Sequence, residues 1–160
     1  KKLKFYVDTS VWNFALETDR TDYHITLDFF KQIHNSETFS FYISTLVAAE
    51  IDQAFETRRI KLTNLVEHYN PQILYANEDA NNLAALYLNE GLMPEKARDD
   101  ATHIAIATVN RCDFIVSWNF KHIVRAKTIR GVHIINHREG YGLIEIISPR
   151  EFLGDRRMYE

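Results

Sequence analysis

Three acidic residues lie where the chain is predicted to pass from an apolar segment into a turn or a helix. Asp8 directly follows the apolar run 5–7, Glu50 follows a second strand-like segment, and Asp100 lies near the start of the segment 99–107. A lone acidic residue beside valine, alanine or isoleucine normally points to water. Three of them at such points indicate one shared site for a hard cation such as Mg²⁺. A Mg²⁺ ion held by carboxylates usually serves phosphate chemistry.

Short apolar segments alternate with helical segments along the chain. Strands are predicted over residues 3–7, 40–44, 73–75, 113–117 and 132–135. Helices are predicted over 19–34, 45–55, 58–69, 77–89, 94–110 and 124–130, with a capped helical turn at 148–153. Ser44 and Asn77 are the predicted N-caps of two of these helices. Short strands joined by helical crossovers are typical of a mainly parallel sheet covered on both faces, so the predicted fold class is α/β.

The predicted sheet gives the three carboxylates a common location. Ligands of open parallel sheets bind beyond the carboxyl ends of the strands, which is where Asp8 lies. Thr9 and Ser10 follow it and are suited to hold a carboxylate by hydrogen bonds. Glu50 and Asp100 lie in early turns of their helices, and both reach the same edge if the sheet is doubly wound.

A structural explanation competes with a shared site at each position. Carboxylates in early helical turns are favoured by the helix dipole, and Asp99 is as well placed for that as Asp100. The joint pattern favours a site, because the residues around Glu50 and Asp100 are small and apolar. Asn119, in the loop after the strand 113–117, offers an amide oxygen to a metal or to its water but adds no charge. Its alternative interpretation is a turn residue.

Composition indicates one globular domain. The chain has 160 residues, 46% hydrophobic and 26% charged, which suffices for a sizeable core. We expect a single domain over residues 1–153 and a polar tail over 154–160. A net charge of −3 excludes a global basic field, so nucleic-acid contacts would need local patches. The single cysteine, Cys112, favours a buried thiol in a reducing cytoplasmic setting, and no apolar run approaches the roughly 18 residues of a membrane span.

Four segments together resemble the PIN domain, in particular VapC-type toxins and their stand-alone relatives. The matching stretches follow the order of that family and are 6–12, the helix with Glu50, 99–107 and 116–123. The resemblance implies a three-layer α/β/α sandwich with a central, mainly parallel sheet and an acidic pocket for Mg²⁺ or Mn²⁺. It also implies endoribonuclease activity on RNA, as in the toxin of a type II toxin–antitoxin pair. An antitoxin protein and a homodimer are the partners that it suggests.

The resemblance also assigns roles to individual residues. Asp8, Glu50 and Asp100 match three acidic residues of the family, and Asn119 falls where many members have Asp. These four are the expected catalytic residues, with the three carboxylates as metal ligands. The amide of Asn119 leaves open the charge of the fourth ligand and the number of ions. Asp100 or Glu50 would orient the attacking water, and the sequence does not distinguish them.

Basic and aromatic residues near these motifs have both a functional and a structural interpretation. Arg98 and Lys121 flank the site motifs and are the expected contacts to RNA phosphates, with an ordinary solvated charge as the alternative. His103 is predicted to be a hydrogen-bonded packing residue rather than a metal ligand. Trp12 and Trp118 are predicted to pack in the core rather than to stack on bases.

Other functions compete with a ribonuclease. Asn119 keeps open a catalytically weak or silent PIN-like domain that binds RNA or a protein partner, although three carboxylates without a cation would repel one another. A phosphatase with Asp8 as nucleophile would normally have a second Asp two residues on, where Ser10 stands. The chain contains no Gly-rich phosphate loop, which argues against a nucleotide-binding ATPase.

Overall fold

The computed structural model describes residues 2–158, and its centre is one parallel sheet. The strands are β1 (Leu3–Val7), β2 (Phe39–Ser44), β3 (Gln72–Leu74), β4 (Phe114–Val116) and β5 (Glu145–Ile147). They lie in the order β3-β2-β1-β4-β5, and every neighbouring pair is parallel. Phe5, Tyr6 and Val7 of the central strand are all buried, as expected for a strand covered on both faces. The predicted parallel sheet is confirmed.

Helices connect the strands and flank the sheet. They are α1 (Thr9–Phe14), α2 (Asp22–His34), α3 (Thr45–Asp52), α4 (Glu56–Tyr69), α5 (Glu78–Asn89), α6 (Arg98–Val109), α7 (Ala126–Arg138) and α8 (Pro149–Met158), with a 3₁₀ turn at Glu95–Ala97. α1 packs against α2, α3 and α4, and α2 against α8, whereas α5 packs against α6 and α7. This is the predicted three-layer α/β/α sandwich. No helix within residues 2–158 is both long and apolar enough to cross a bilayer.

Side-chain caps define where several helices begin. Ser44 Oγ accepts hydrogen bonds from two backbone amides in the first turn of α3, at 3.2 and 3.3 Å. Asn77 Oδ1 accepts one from the Ala80 amide at 2.9 Å at the start of α5. Both predicted N-caps are therefore confirmed. Asp8 caps α1, a short helix that the sequence pattern did not predict.

Aromatic residues and the cysteine pack inside, as predicted. Trp12 is fully buried and Trp118 nearly so, and the Trp118 indole N–H donates to Thr26 Oγ1 at 2.8 Å. Both tryptophans therefore belong to the core. Cys112 is buried, and this burial raises the pKa of its thiol to about 12. The thiol consequently stays protonated and unreactive at neutral pH.

The region after β4 differs from the prediction. A helix over 124–130 followed by a strand over 132–135 is wrong, because the single helix α7 runs through both. Val132 and Ile135 are buried while Ile134 is 57% exposed, which is the spacing of a helix. A strand would have placed Val132 and Ile134 on the same face. The fifth strand is β5, which the sequence pattern left unassigned.

The last helix is longer than the predicted capped turn. Ser148 Oγ accepts a hydrogen bond from the Glu151 amide at 3.1 Å, in agreement with the predicted cap. α8 then continues to Met158. The first part of the polar tail assigned to residues 154–160 is therefore helical, and residues 159–160 lie outside the described residues.

Gly131 allows α7 to approach Leu92 closely. A Cβ at this position would lie 2.1 Å from Leu92 Cδ2, and the Leu92 side chain is itself buried. Alanine gains about 1 kcal/mol of helix propensity, but crowding a packed site costs about 1–3 kcal/mol. We expect Gly131→Ala to lower the free energy of unfolding by about 1 kcal/mol in a urea titration. Adding Leu92→Ala should make the double variant less destabilised than the sum of the two single variants. A stabilised Gly131→Ala variant would contradict the expected crowding.

Candidate functional site

Asp8 is a buried carboxylate at the carboxyl end of β1. Its side chain is only 3% exposed. Oδ1 accepts hydrogen bonds from Ser10 Oγ at 2.5 Å and from the Val11 amide at 3.4 Å, and Oδ2 accepts one from Ser117 Oγ at 2.5 Å. Burial raises the pKa of Asp8, although His103 and these hydrogen bonds oppose the shift. A buried carboxyl group with a raised pKa is a candidate functional-site residue.

Ser10 and Ser117 join the exits of the two central strands. The Trp118 amide donates to Ser10 Oγ at 2.9 Å, and the Asn119 amide donates to Ser117 Oγ at 2.9 Å. Each serine thus links the Asp8 carboxylate to the loop after β4. Ser10 was predicted to hold a carboxylate, whereas Ser117 was not assigned to the site. A polar residue that ends an apolar strand was the available signal for it.

Glu50 projects from α3 and is held through one oxygen. Oε1 accepts hydrogen bonds from Thr9 Oγ1 at 2.8 Å and from His103 Nε2 at 2.5 Å. Burial raises the pKa of Glu50, but the hydrogen bond and the charge of His103 outweigh this effect and lower it overall. Glu50 is therefore ionised at neutral pH. Thr9, predicted as a partner of a carboxylate, contacts Glu50 rather than Asp8.

His103 is buried on α6 and hydrogen-bonded through both ring nitrogens. Nδ1 lies 2.6 Å from the Tyr6 hydroxyl, and Nε2 contacts Glu50. The predicted packing histidine is thus a hydrogen-bonded core residue, as expected. Burial lowers the pKa of His103, but the hydrogen bond with Glu50 and the negative charges of Glu50, Asp8 and Asp100 together raise it.

Asp100 contacts a histidine that was not assigned to the site. Asp100 lies in the first turn of α6, and its Oδ2 is 3.0 Å from His122 Nδ1. Asn119 Oδ1 accepts a hydrogen bond from the His122 amide at 2.9 Å. Asn119 therefore shapes the turn after β4, and His122 is the residue of this loop that contacts Asp100. Its position within the family-like stretch 116–123 was the sequence signal for it.

The described carboxylates do not form a closed cage for a metal. Within residues 2–158, no group of three or more His, Cys, Asp or Glu side chains is arranged to hold an ion. Glu50 Oε2 and Asp100 Oδ1 accept no hydrogen bond from the described part of the chain. Mg²⁺ commonly binds through one or two carboxylates and keeps several waters. This set of oxygen donors fits such a hydrated ion.

Of the two basic residues predicted to contact RNA phosphates, Arg98 is in an ion pair and Lys121 is exposed. Arg98 forms an ion pair with Glu95 one turn earlier, so part of its charge is already neutralised. Lys121 is exposed in the loop after β4. Their contacts to RNA remain predictions.

Comparison with known proteins establishes the fold. No protein-family profile and no curated protein match the chain. Several solved structures do. Mycobacterium tuberculosis VapC20, a sarcin–ricin-loop cleaving toxin, is 13% identical over 74% of this chain and 92% of its own, with a TM-score of 0.58. Haemophilus influenzae VapBC-1 is 14% identical over 92% of this chain and 99% of its own, with a TM-score of 0.61.

Rickettsia felis VapBC2, solved with a DNA fragment from its promoter, is 13% identical over 91% of this chain and 98% of its own, with a TM-score of 0.55. The chain has the PIN fold of VapC proteins. The family resemblance of its four segments is thereby confirmed at the level of the fold. In the PIN fold of this chain, Asp8, Glu50 and Ser117 all follow adjacent parallel strands, at the edge where such sheets bind ligands.

Proposed function

We propose that this chain is a metal-dependent endoribonuclease that hydrolyses RNA phosphodiester bonds. The observation that carries the proposal is the pair of hydrogen-bonded carboxylates after β1 and β2: buried Asp8, held by Ser10 and Ser117, and Glu50, held by Thr9 and His103. Burying a carboxylate as deeply as Asp8 costs free energy, and carboxylates held in this way are concentrated at functional sites. The site favours chemistry that depends on oxygen ligands and concentrated negative charge.

Asp8, Glu50 and Asp100 would hold Mg²⁺ or Mn²⁺, with water completing the coordination. The ion would supply Lewis-acid polarisation of a phosphate and a lowered pKa for an attacking water. Glu50 Oε2 and Asp100 Oδ1 are the carboxylate oxygens available to orient that water. Ser10 and Ser117 keep the Asp8 carboxylate in place. Arg98 and Lys121 would hold flanking phosphates, which makes RNA binding weaken as salt rises.

The fold also supports a role as the toxin of a type II toxin–antitoxin pair. One similar protein is described as a toxin that cleaves the sarcin–ricin loop, and another was solved as VapBC2 on promoter DNA. By analogy with these proteins, we propose for this chain an RNA substrate, an antitoxin partner, a homodimer and a cytoplasmic location. Co-purification of the chain with a small partner protein encoded beside it would support this part of the proposal.

RNA cleavage that depends on a divalent ion is the decisive test. Purified protein is incubated with a mixed RNA pool, with Mn²⁺ or Mg²⁺ and separately with excess chelator. We expect discrete cleavage products with the ion and none with the chelator, because the carboxylates alone supply no Lewis acid. Cleavage that persists in chelator would contradict the metal mechanism. A variant lacking Asp8, purified identically, controls for contaminating ribonuclease.

A non-catalytic PIN-like domain that binds RNA or a protein partner is the second candidate. It is favoured by the hydrogen bond that holds Asn119 in a turn and by the position of His122 beside Asp100, since neither residue adds a fourth carboxylate. This candidate predicts retarded RNA in a gel-shift assay without any products under all metal conditions. Cleavage in the first assay excludes it.

A further inference from the structure

Glu50 is the end of a hydrogen-bonded series of side chains that lie on β2, β1, α6 and α3. Ser44 Oγ lies 2.7 Å from the Tyr6 hydroxyl, which lies 2.6 Å from His103 Nδ1. His103 Nε2 then lies 2.5 Å from Glu50 Oε1. Ser44 is the N-cap of α3 and Glu50 projects from α3. The series of hydrogen bonds therefore begins and ends at this helix and runs through β1 and α6 between the two residues. The helix that carries Glu50 is thereby tied to the centre of the sheet.

We propose that Tyr6 and His103 are positioning residues for the Glu50 carboxylate. This inference rests on the proposed function, since it assigns them to the same metal and phosphate site. His103 Nε2–H donates to the ionised Glu50 whether the ring is neutral or charged, so the contact does not require a particular protonation state. Thr9 donates to the same oxygen. Both donors engage Oε1, and Oε2 is left for the ion or the water.

Packing alone does not account for this chain of polar groups. Tyr6 and His103 are 0% and 2% exposed, and a buried hydroxyl or imidazole is costly unless it is hydrogen-bonded. Apolar side chains of similar size would fill the same volume without that requirement. The polar groups are instead aligned end to end and directed at one acidic oxygen. Partners of this kind orient a ligand, and their loss typically costs about 10–100-fold in metal affinity or activity.

Tyr6→Phe tests the inference with a matched control in the same chain. Tyr87 is also fully buried, and its hydroxyl donates to Asn136 Oδ1 at 2.5 Å between α5 and α7. Tyr6→Phe and Tyr87→Phe each remove one buried, hydrogen-bonded hydroxyl. We expect Tyr6→Phe to weaken Mn²⁺ binding about tenfold, measured by the electron paramagnetic resonance of free Mn²⁺. Tyr87→Phe should leave Mn²⁺ affinity unchanged, although the melting temperatures of both variants fall.

Two substitutions of His103 distinguish the effect of its N–H donor from the effect of its ring shape. His103→Gln retains an N–H group that can reach Glu50, whereas His103→Phe retains a ring but no donor. We expect the Mn²⁺ affinity of His103→Gln to lie within a fewfold of that of the wild type. His103→Phe should lose at least as much Mn²⁺ affinity as Tyr6→Phe. The Mn²⁺ concentration for half-maximal RNA cleavage should follow the same order.

The possible failures give different patterns. If the wild type cleaves RNA and Tyr6→Phe behaves like Tyr87→Phe in Mn²⁺ binding, the positioning role is overturned and the proposed function stands. If the wild type binds Mn²⁺ without cleaving RNA, the proposed function fails, and the binding curves still decide the positioning role. Absence of Mn²⁺ binding by the wild type would overturn both.

Discussion

Replacing Asp8 by Asn is expected to abolish RNA cleavage while leaving the protein at least as stable as the wild type. Asn keeps the volume of Asp and an oxygen that can accept from Ser10 and Val11, but it removes the charge that a metal requires. We expect cleavage at saturating Mn²⁺ to fall at least about a hundredfold, because a direct ligand matters more than an outer partner. Initial rates and urea unfolding, measured on the same preparations, provide the two readouts.

The stability of Asp8→Asn should also depend on pH in a defined direction. Burial raises the folded-state pKa of Asp8 above its ordinary value, so the folded protein favours the protonated form. The wild type therefore loses free energy of unfolding as pH rises from the ordinary carboxyl pKa through the raised folded value. Asn cannot ionise, so the stability of the variant relative to the wild type should increase across that window and level off above it. Unfolding in the presence of chelator removes any contribution from bound metal.

A clear loss of stability in Asp8→Asn at neutral pH would contradict this expectation. It would show that the hydrogen bonds of Ser10 and Ser117 to an ionised carboxylate outweigh its burial. Retained cleavage would be the more serious result, because it would remove Asp8 from the proposed site. The combination of lost activity with retained stability is typical of functional residues rather than of core residues.

The parts of the fold that were predictable depend on local signals. Ser44 and Asn77 were recognised because a cap acts within its own helical turn. Buried parallel strands such as β1 and β2 appear in sequence as short apolar runs with a polar residue at the end. The prediction of a strand over residues 132–135 was wrong because an apolar run of this length fits a helix as well as a strand. Contacts between distant parts of the chain, such as that between Gly131 and Leu92, distinguish the two.

The site shows the same division between local and distant information. Asp8, Glu50 and Asp100 were predicted as site residues because each lies where a predicted strand ends or near a predicted helix start, and that role stays a prediction. The chain from Ser44 through Tyr6 to His103 joins residues on β2, β1 and α6, and no spacing along the sequence encodes it. In the loop after β4, Asn119 was the expected site residue because of its motif. Its amide oxygen accepts a hydrogen bond within the turn, and the same turn brings His122 to Asp100.

Asp100→Asn and Asp99→Asn form the sharpest comparison between function and helix electrostatics. Both residues lie in the first turn of α6, so each carboxylate has a similar favourable interaction with the helix dipole, worth about 0.3–1 kcal/mol. Asp99 is exposed, whereas Asp100 is partly buried and contacts His122. We expect Asp100→Asn to reduce cleavage at saturating Mn²⁺ about a hundredfold, and Asp99→Asn to leave it within about twofold of the wild type.

Stability measurements decide whether that comparison reports on the site. The two variants should lose similar, small amounts of unfolding free energy in urea, because the dipole contribution is common to both. Equal losses of cleavage in the two variants would mean that Asp100 acts only as a charge at a helix start. A large difference in cleavage with matched stability instead assigns the Asp100 carboxylate to the reaction. Because the two carboxylates share one helix start and differ in burial and in the contact with His122, the comparison tests the location of the site itself.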